Sequence, residues 1–112
     1  MRRDGVVPAL LVGTGGIWAE ALDDVALVPL PAAPERVERA LQGLRAAPLL
    51  TGSRGGPAVD LAAAARFGSR LGALALEHDL DLLEVNPALA SPQGCVALDA
   101  VAIRRAFVPP PA

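Results

Sequence analysis

Two short apolar runs near the end of the chain, separated by a turn-forming tetrapeptide, restrict the fold more than any other feature of the sequence. The first run is residues 82–87, Leu-Leu-Glu-Val-Asn-Pro, and the second contains residues 97–99, Ala-Leu-Asp. Between them lie residues 91–94, Ser-Pro-Gln-Gly, a composition typical of a hairpin connection. We therefore expect residues 95–103 to return antiparallel to residues 81–90.

Each of these runs carries oxygen-bearing side chains within otherwise apolar sequence. Glu84 and Asn86 are two residues apart, so in a strand both point to the same face, and Asp99 would reach that face from the neighbouring strand. Such oxygens bind hard cations such as Mg²⁺, whose shell is commonly completed by water and substrate phosphates. The simpler alternative fits the spacing equally well: Asn86-Pro87 marks a strand end, and Glu84 and Asp99 are solvated residues on an outward face.

The composition describes one apolar domain with a weak net charge. The chain has 112 residues, a hydrophobic content of 53% and a mean hydropathy of +0.42, which suit a single domain over residues 1–112 with a buried core. All ten basic residues are arginines, and the formal charge of −2 argues against the basic surface that nucleic-acid binding requires. Within this domain, the proline-rich residues 108–112 are expected to form a disordered tail.

We expect neither a membrane span nor an export signal in this sequence. No apolar run reaches the roughly 20 residues that cross a bilayer, and Pro8 interrupts the apolar run that follows the first arginines. The single cysteine, Cys95, rules out an intramolecular disulfide and favours a reducing compartment. We therefore expect a cytoplasmic protein in which Cys95, in its predicted strand, is a small core residue.

Periodicity and turn residues predict strands towards both ends of the chain and two helices between them. Residues 6–12 and 17–29 suit extended segments separated by a glycine-rich turn. A helix begins at Pro34 and is closed by Pro48, and a second helix covers residues 59–77. With the hairpin described above, this pattern predicts an α+β fold in which an antiparallel sheet of about four strands carries both helices on one face.

Two glycine-bearing loops differ in what they indicate. Residues 13–16, Gly-Thr-Gly-Gly, match neither a dinucleotide fingerprint nor a P-loop, and their simplest interpretation is a tight turn. In residues 52–55, Gly-Ser-Arg-Gly, Arg54 precedes a helix start, where backbone N–H groups and the helix dipole already favour an anion. Its guanidinium could also donate two parallel hydrogen bonds to phosphate or carboxylate oxygens. Alternatively, Arg54 caps neighbouring backbone carbonyls.

Three motifs, taken in their order and spacing, resemble one known family. They are residues 13–20 (Gly-Thr-Gly-Gly-Ile-Trp-Ala-Glu) with Asp24, residues 49–55 (Leu-Leu-Thr-Gly-Ser-Arg-Gly) with Pro57 and Asp60, and Glu84-Val85-Asn86-Pro87 with Leu98-Asp99-Ala100. Through them the chain, from about Val7 to Ile103, is similar to the C-terminal half of the ATP-grasp domain of NDP-forming acyl-CoA synthetases. This is the acetate–CoA ligase (ADP-forming) family, which is related to the succinyl-CoA synthetases.

The resemblance implies a metal site. In that family the Asn of the Asn-Pro motif and the Asp of the following strand are the magnesium ligands. The corresponding residues here are Asn86 and Asp99, and Glu84 lies beside them as a further metal ligand.

The resemblance also implies a nucleotide and a reaction. Arg54, Gly55 and Glu84 fall at positions that line the phosphates of ATP or ADP, and Glu20 and Arg54 fall along the phosphoryl-transfer path. The implied reaction converts an acid, CoA and ATP reversibly into acyl-CoA, ADP and phosphate, through an acyl phosphate and a phosphohistidine. That histidine belongs to another part of the enzyme, so we expect His78 to be a surface residue.

The chain departs from the family pattern in ways that bear on activity. It has no lysine, although the preceding half of an ATP-grasp domain normally supplies phosphate-binding lysines, and it has Leu82 and Val101 where the family often has an acid and an arginine. We therefore expect a portion of a ligase that is not active alone and needs the remaining domains or subunit of the synthetase. The alternative is a non-catalytic regulatory or assembly module derived from such a synthetase, with an exposed edge that binds a partner or a second copy.

Overall fold

The chain folds into an α+β arrangement in which every strand pairing is antiparallel. A computed structural model describes residues 8–14, 24–52 and 55–105. The predicted tail at 108–112 lies outside these residues. In chain order the described elements are β1 (Ala9–Gly13), β2 (Val25–Pro29), α1 (Pro34–Gln42), α2 (Ala47–Thr51), α3 (Leu61–Glu77), β3 (Leu80–Val85), β4 (Ala88–Ser91), β5 (Gly94–Ala97) and β6 (Ala100–Arg104).

The core lies between one face of the β1–β2 ribbon and the helices α1 and α3. Leu10 of β1 is directly opposite Val28 of β2, and both are buried because their side chains share the inner face of the ribbon. The cluster also contains Ala32 before α1, the fully buried Val37 of α1 and Ala65 of α3. Both helices therefore cover the same face of this ribbon, as the sequence predicts.

α1 begins where it is predicted to begin and ends earlier. Pro34 occupies the first turn, where a missing N–H costs no helical hydrogen bond, and Gly43 follows the last helical residue. Beyond Gly43 the backbone turns away, because the Asp24 carboxylate binds the N–H groups of Arg45 and Ala46. The short helix α2 then follows, an element that the apolar residues 49–50 alone did not indicate.

α3 is the long helix expected over residues 59–77, and it starts at Leu61. The side chain of Asp60 caps it by accepting a hydrogen bond from the N–H of Ala63 at 3.0 Å. On its inner face, Gly68 lets the helix approach the core closely. A Cβ at that position would lie 3.1 Å from Cγ1 of Val37 and 3.3 Å from Cδ2 of Leu10. The hydroxyl of Ser69 donates to the carbonyl of Ala32 at 2.6 Å, which fixes the segment before α1 against α3.

The last four strands form the predicted hairpin. β4 pairs with β5 around the turn at 92–93, and β3 pairs with β6 further from that turn. The hairpin is interrupted at Asn86-Pro87, where proline cannot donate to a ladder, so that two short ladders replace one long one. Together with the β1–β2 ribbon, the described residues contain three two-stranded ladders, where a single sheet of about four strands was expected. The α+β class with antiparallel strands and few helices is confirmed.

No helix within residues 8–14, 24–52 and 55–105 is long and apolar enough to cross a membrane.

Candidate magnesium and phosphate site

The hairpin places Asn86 directly opposite Asp99. The register that pairs Glu84 with Val101 and Val85 with Ala100 resumes on the far side of the interruption, where Ala88 pairs with Ala97. Between these ladders the N–H of Asn86 donates to the carbonyl of Asp99 at 3.0 Å, and the N–H of Leu98 donates to the carbonyl of Pro87 at 3.0 Å. Residues opposite each other in an antiparallel pair project to the same face. The interrupted hairpin therefore sets the carboxamide and the carboxylate side by side.

Glu84 extends this pair along β3. It lies two residues before Asn86, so its side chain projects to the same face, and its Oε1 accepts a hydrogen bond from Nδ2 of Asn86 at 3.4 Å. Glu84, Asn86 and Asp99 are all exposed, whereas Leu83 and Val85 are half-buried on the other face. The sequence-predicted ligands thus share one outward face, and the inward face of the same strand packs towards α3.

The donor set fits a magnesium ion that keeps part of its water shell. It offers two carboxylates and one amide oxygen, and Mg²⁺ is commonly held by one or two carboxylates together with water and substrate phosphates. Within the described parts of the chain, no three His, Cys, Asp or Glu side chains come close enough to form an all-protein cage. The arrangement therefore suits a metal that arrives with a phosphate and not a permanently bound structural ion.

The three site side chains lie within an apolar surface. Leu82 and Ile103 face each other across the β3–β6 ladder, next to the Glu84 and Val101 pair, and all three apolar side chains are more than two-fifths exposed. An exposed apolar surface around charged groups is unusual for an isolated monomer and marks a binding surface. Among the described residues, the structure therefore leaves the apolar surface beside the ligands uncovered.

The glycine loop before α3 is the second predicted part of the site. Gly52 ends α2 with a φ of +82°, and Gly55 has a φ of +89° with its N–H bonded to the carbonyl of Gly52 at 3.1 Å. Both positions favour glycine because a side chain at positive φ is strained. Arg54, between them, and Glu20 lie outside the described residues, so the structure does not locate either predicted side chain.

The base of this loop is attached to the hairpin. The N–H of Asp60 donates to the carbonyl of Ser91 at 2.8 Å, beside the hairpin turn. Asn86 is five residues from Ser91, which corresponds to about 17 Å along a strand. The structure therefore unites Glu84, Asn86 and Asp99 on one face, and it places Gly55 on a separate loop that is anchored to the end of the same hairpin.

Asp24 has a role that the sequence did not reveal. It is only 7% exposed, and its two carboxylate oxygens accept the N–H groups of Arg45 at 2.7 Å and of Ala46 at 3.0 Å. The start of β2 is thereby tied to the turn before α2. The only signal in the sequence is an acid directly before an apolar run, and acids at such positions are usually exposed.

His78 and Cys95, for which no functional role is predicted, lie outside the site. His78 is exposed at the end of α3, in agreement with its prediction as a surface residue. Cys95 is half-buried in β5, and burial raises the pKa of its thiol. A raised pKa lowers the thiolate fraction, so Cys95 is a poor nucleophile; it is only half-buried, outside the core cluster in which it was predicted.

The chain matches the family model of the ATP-grasp domain over residues 1–103. The chain belongs to the ATP-grasp family. Among curated proteins, it is 38% identical over 97 residues to a trans-feruloyl-CoA synthase from an unknown prokaryotic organism, a match that covers 84% of this chain and 14% of that protein. It is also 34% identical over 94 residues to the β subunit of the ADP-forming acetate–CoA ligase I of Pyrococcus furiosus, covering 83% of this chain and 40% of the subunit.

Solved structures agree with this assignment. The apo dinucleotide-forming acetyl-coenzyme A synthetase 1 of Candidatus Korarchaeum cryptofilum is 31% identical and superposes with a TM-score of 0.80, over 87% of this chain and 47% of that chain. The same synthetase in complex with coenzyme A and Mg-AMPPCP gives a TM-score of 0.79. This ATP-grasp chain therefore resembles ADP-forming acyl-CoA synthetases, as its motifs predict, and spans less than half the length of these relatives.

Proposed function

We propose that this chain is the magnesium-nucleotide phosphate-binding portion of an ADP-forming acyl-CoA synthetase. The observation that carries the proposal is the pairing of Asn86 with Asp99 across the interrupted hairpin, with Glu84 on the same face. The family assignment supports a nucleotide ligand, and a structural relative is described in complex with Mg-AMPPCP. In this proposal the chain is one domain over residues 1–112 that corresponds to the C-terminal half of an ATP-grasp domain, and it works in the cytoplasm.

The roles of the residues follow from their chemistry. Asn86, Asp99 and Glu84 would hold Mg²⁺ through oxygen atoms, and the bound ion would neutralise charge on the phosphates of ATP or ADP. Glu84 accepts a hydrogen bond from Asn86, which orients the amide so that its oxygen faces away from Glu84. Gly55 would border the phosphates, because no side chain fills the space beside the loop at its positive φ, while its own N–H stays bonded to the carbonyl of Gly52.

Charge neutralisation and positioning account for most of the catalysis of phosphoryl transfer. Glu20 and Arg54 are proposed to complete this function along the transfer path, Arg54 as a bidentate ligand of phosphate oxygens. The substrates would be an acid, CoA and ATP, and the products acyl-CoA, ADP and phosphate. The identity of the acid depends on parts of the synthetase that this chain does not include.

The chain is proposed to need the remaining part of the synthetase for turnover. It covers 40% of the Pyrococcus furiosus β subunit and 47% of the Korarchaeum chain, so each of these relatives carries at least as much sequence again. It also has no lysine to contact phosphates from the opposite side of a nucleotide. We therefore expect the isolated chain to be inactive as a ligase and to retain the metal and phosphate side of the site.

Calorimetric titration with Mg·ADP and Mg·ATP tests this proposal. Wild-type chain is compared with the double variant Asn86→Ala/Asp99→Ala, and with Asp81→Ala, which removes an exposed carboxylate from the same strand but lies outside the ligand set. The proposal predicts that the double variant loses binding and that Asp81→Ala retains it. Equal binding by all three chains would contradict the ligand assignment. Absence of binding by a folded wild-type chain, alone and with the missing part of the synthetase, would favour a non-catalytic assembly module.

A further inference from the structure

Two consecutive residues, Val59 and Asp60, form a junction between three parts of the fold. The N–H of Val59 donates to the carbonyl of Leu50 in α2 at 2.9 Å. The N–H of Asp60 donates to the carbonyl of Ser91, at the end of β4, at 2.8 Å. The carbonyl and the carboxylate of Asp60 both accept hydrogen bonds from the first turn of α3, from the N–H groups of residues 63–64. The junction therefore joins α2, α3 and the hairpin at one point.

The junction also closes the glycine loop before α3. The bond of Val59 brings together the two ends of residues 51–58. Within the loop, a Cβ at Gly52 would lie 3.0 Å from the carbonyl oxygen of Gly56 and 3.2 Å from the backbone nitrogen of Ala58. Only glycine allows the backbone segments to approach this closely at a φ of +82°. The described part of the loop is thus folded back on itself, and its orientation follows that of the junction.

The β4–β5 ladder connects the junction to the proposed metal ligands. Ser91, which accepts the N–H of Asp60, is the last residue of β4, and β4 pairs with β5 along its whole length. Asn86 and Asp99 lie two residues beyond the other end of this ladder. The glycine loop and the metal ligands are therefore attached to opposite ends of one continuous ladder.

We propose that Asp60 is a positioning residue for Mg·nucleotide, whose N–H, through its bond to Ser91, holds the glycine loop at a fixed distance from Asn86 and Asp99. This inference rests on the proposed function, in which the loop borders the phosphates and the hairpin holds their metal. A ligand that spans two groups binds more tightly when they are already correctly spaced, because it does not have to order them on binding. Asp60 itself contacts neither metal nor phosphate and acts through the loop and the ladder.

Two substitutions of Asp60 separate the role of its N–H from that of its side chain. Its φ of −75° lies within the range of proline, so Asp60→Pro removes the N–H that bonds to Ser91 without requiring a different φ. Asp60→Ala keeps this N–H. Both variants lack the carboxylate that caps α3, so both lose the same contribution to stability, and only Asp60→Pro also loses the bond to the hairpin.

Calorimetric titration with Mg·ADP compares the two variants with the wild-type chain. We expect Asp60→Ala to bind within about twofold of wild type and Asp60→Pro to bind at least about tenfold more weakly, a factor that corresponds to about 1.4 kcal/mol. Equal affinities of the two variants would overturn the inference and leave the proposed function intact. Absence of binding by the wild-type chain, alone and with the remaining part of the synthetase, would refute the proposed function and the inference together.

Hydrogen exchange of the wild-type chain gives a second readout that does not depend on the folding of the proline variant. Coupling is reciprocal: if loss of the Asp60–Ser91 bond weakens Mg·ADP binding about tenfold, bound Mg·ADP must make opening of that bond about tenfold rarer. We therefore expect saturating Mg·ADP to slow exchange of the Asp60 amide about tenfold, and that of the Ala63 amide, which bonds within the cap of α3, much less. Equal slowing at both amides, or unchanged exchange of the Asp60 amide in a chain that binds Mg·ADP, would overturn the inference.

Discussion

Replacement of Asp24 should destabilise the fold more than any other single change at a polar residue described here. Its carboxylate is almost completely buried and makes two hydrogen bonds to backbone N–H groups, at 2.7 Å to Arg45 and at 3.0 Å to Ala46. These bonds join the start of β2 to the turn between α1 and α2. Asp24→Ala removes both acceptors and leaves two N–H groups without partners.

The magnitude follows from the two bonds. A hydrogen bond to a charged group contributes about 1.5–3 kcal/mol, and the two bonds of one carboxylate are not fully additive. We therefore expect Asp24→Ala to lower the free energy of unfolding by about 3 kcal/mol. Asp24→Asn keeps one oxygen acceptor in the same shape, so it should cost about half as much.

Urea denaturation followed by far-ultraviolet circular dichroism measures this loss. Wild type, Asp24→Asn and Asp24→Ala should unfold at successively lower urea concentrations with unchanged slopes, because a change of midpoint at constant slope reports stability. Asp81→Ala is the matched control, since it removes an exposed carboxylate. The reasoning is refuted if Asp24→Ala unfolds within about 0.5 kcal/mol of wild type, the range of ordinary surface substitutions.

Three other features give separate predictions. Asp60→Ala removes the cap of α3 and should lower the free energy of unfolding by about 1 kcal/mol in the same assay, whereas Asp60→Asn should restore most of it; no loss in Asp60→Ala would contradict the cap. Gly68→Leu forces a side chain against Val37 and Leu10 and should cost about 1–3 kcal/mol or more, with Ala62→Leu on the exposed face of the same helix as control. Burial raises the pKa of Cys95, so in the folded chain at about pH 8 its thiol should react with a maleimide more slowly than free cysteine does. Its reaction rate should rise as pH increases. Equal rates would show that the thiol is not shielded.

The elements with the clearest local patterns were predictable from the sequence. The hairpin follows from a turn tetrapeptide between two apolar runs, and α3 follows from a long helical repeat after Asp60. The face shared by Glu84, Asn86 and Asp99 follows from the same hairpin, since residue spacing fixes the face of a strand and the turn fixes the register. The family resemblance then supplied a chemical interpretation of that face.

The features that the sequence did not predict depend on contacts between distant segments. The early end of α1 is coupled to Asp24, which lies about 20 positions before the N–H groups that it binds. The short helix α2 forms in the same turn, where helical propensity is weak and tertiary contacts decide. The division into three two-stranded ladders could be anticipated only in part: Asn86-Pro87 indicates a possible strand end, whereas the separation of the β1–β2 ribbon from the β3–β6 ladder is not visible in local periodicity.

The central claim is that Asn86 and Asp99 hold the metal of a nucleotide complex, and paramagnetic broadening tests it most directly. Mn²⁺ can stand in for Mg²⁺ as a hard divalent ion with oxygen ligands. In ¹⁵N–¹H spectra of the chain together with the remaining part of the synthetase, Mn·ADP should broaden the amides around Glu84, Asn86 and Asp99 before others. Asp99→Ala should abolish this effect, and Asp81→Ala should preserve it. Broadening centred elsewhere, or unchanged in Asp99→Ala, would contradict the account.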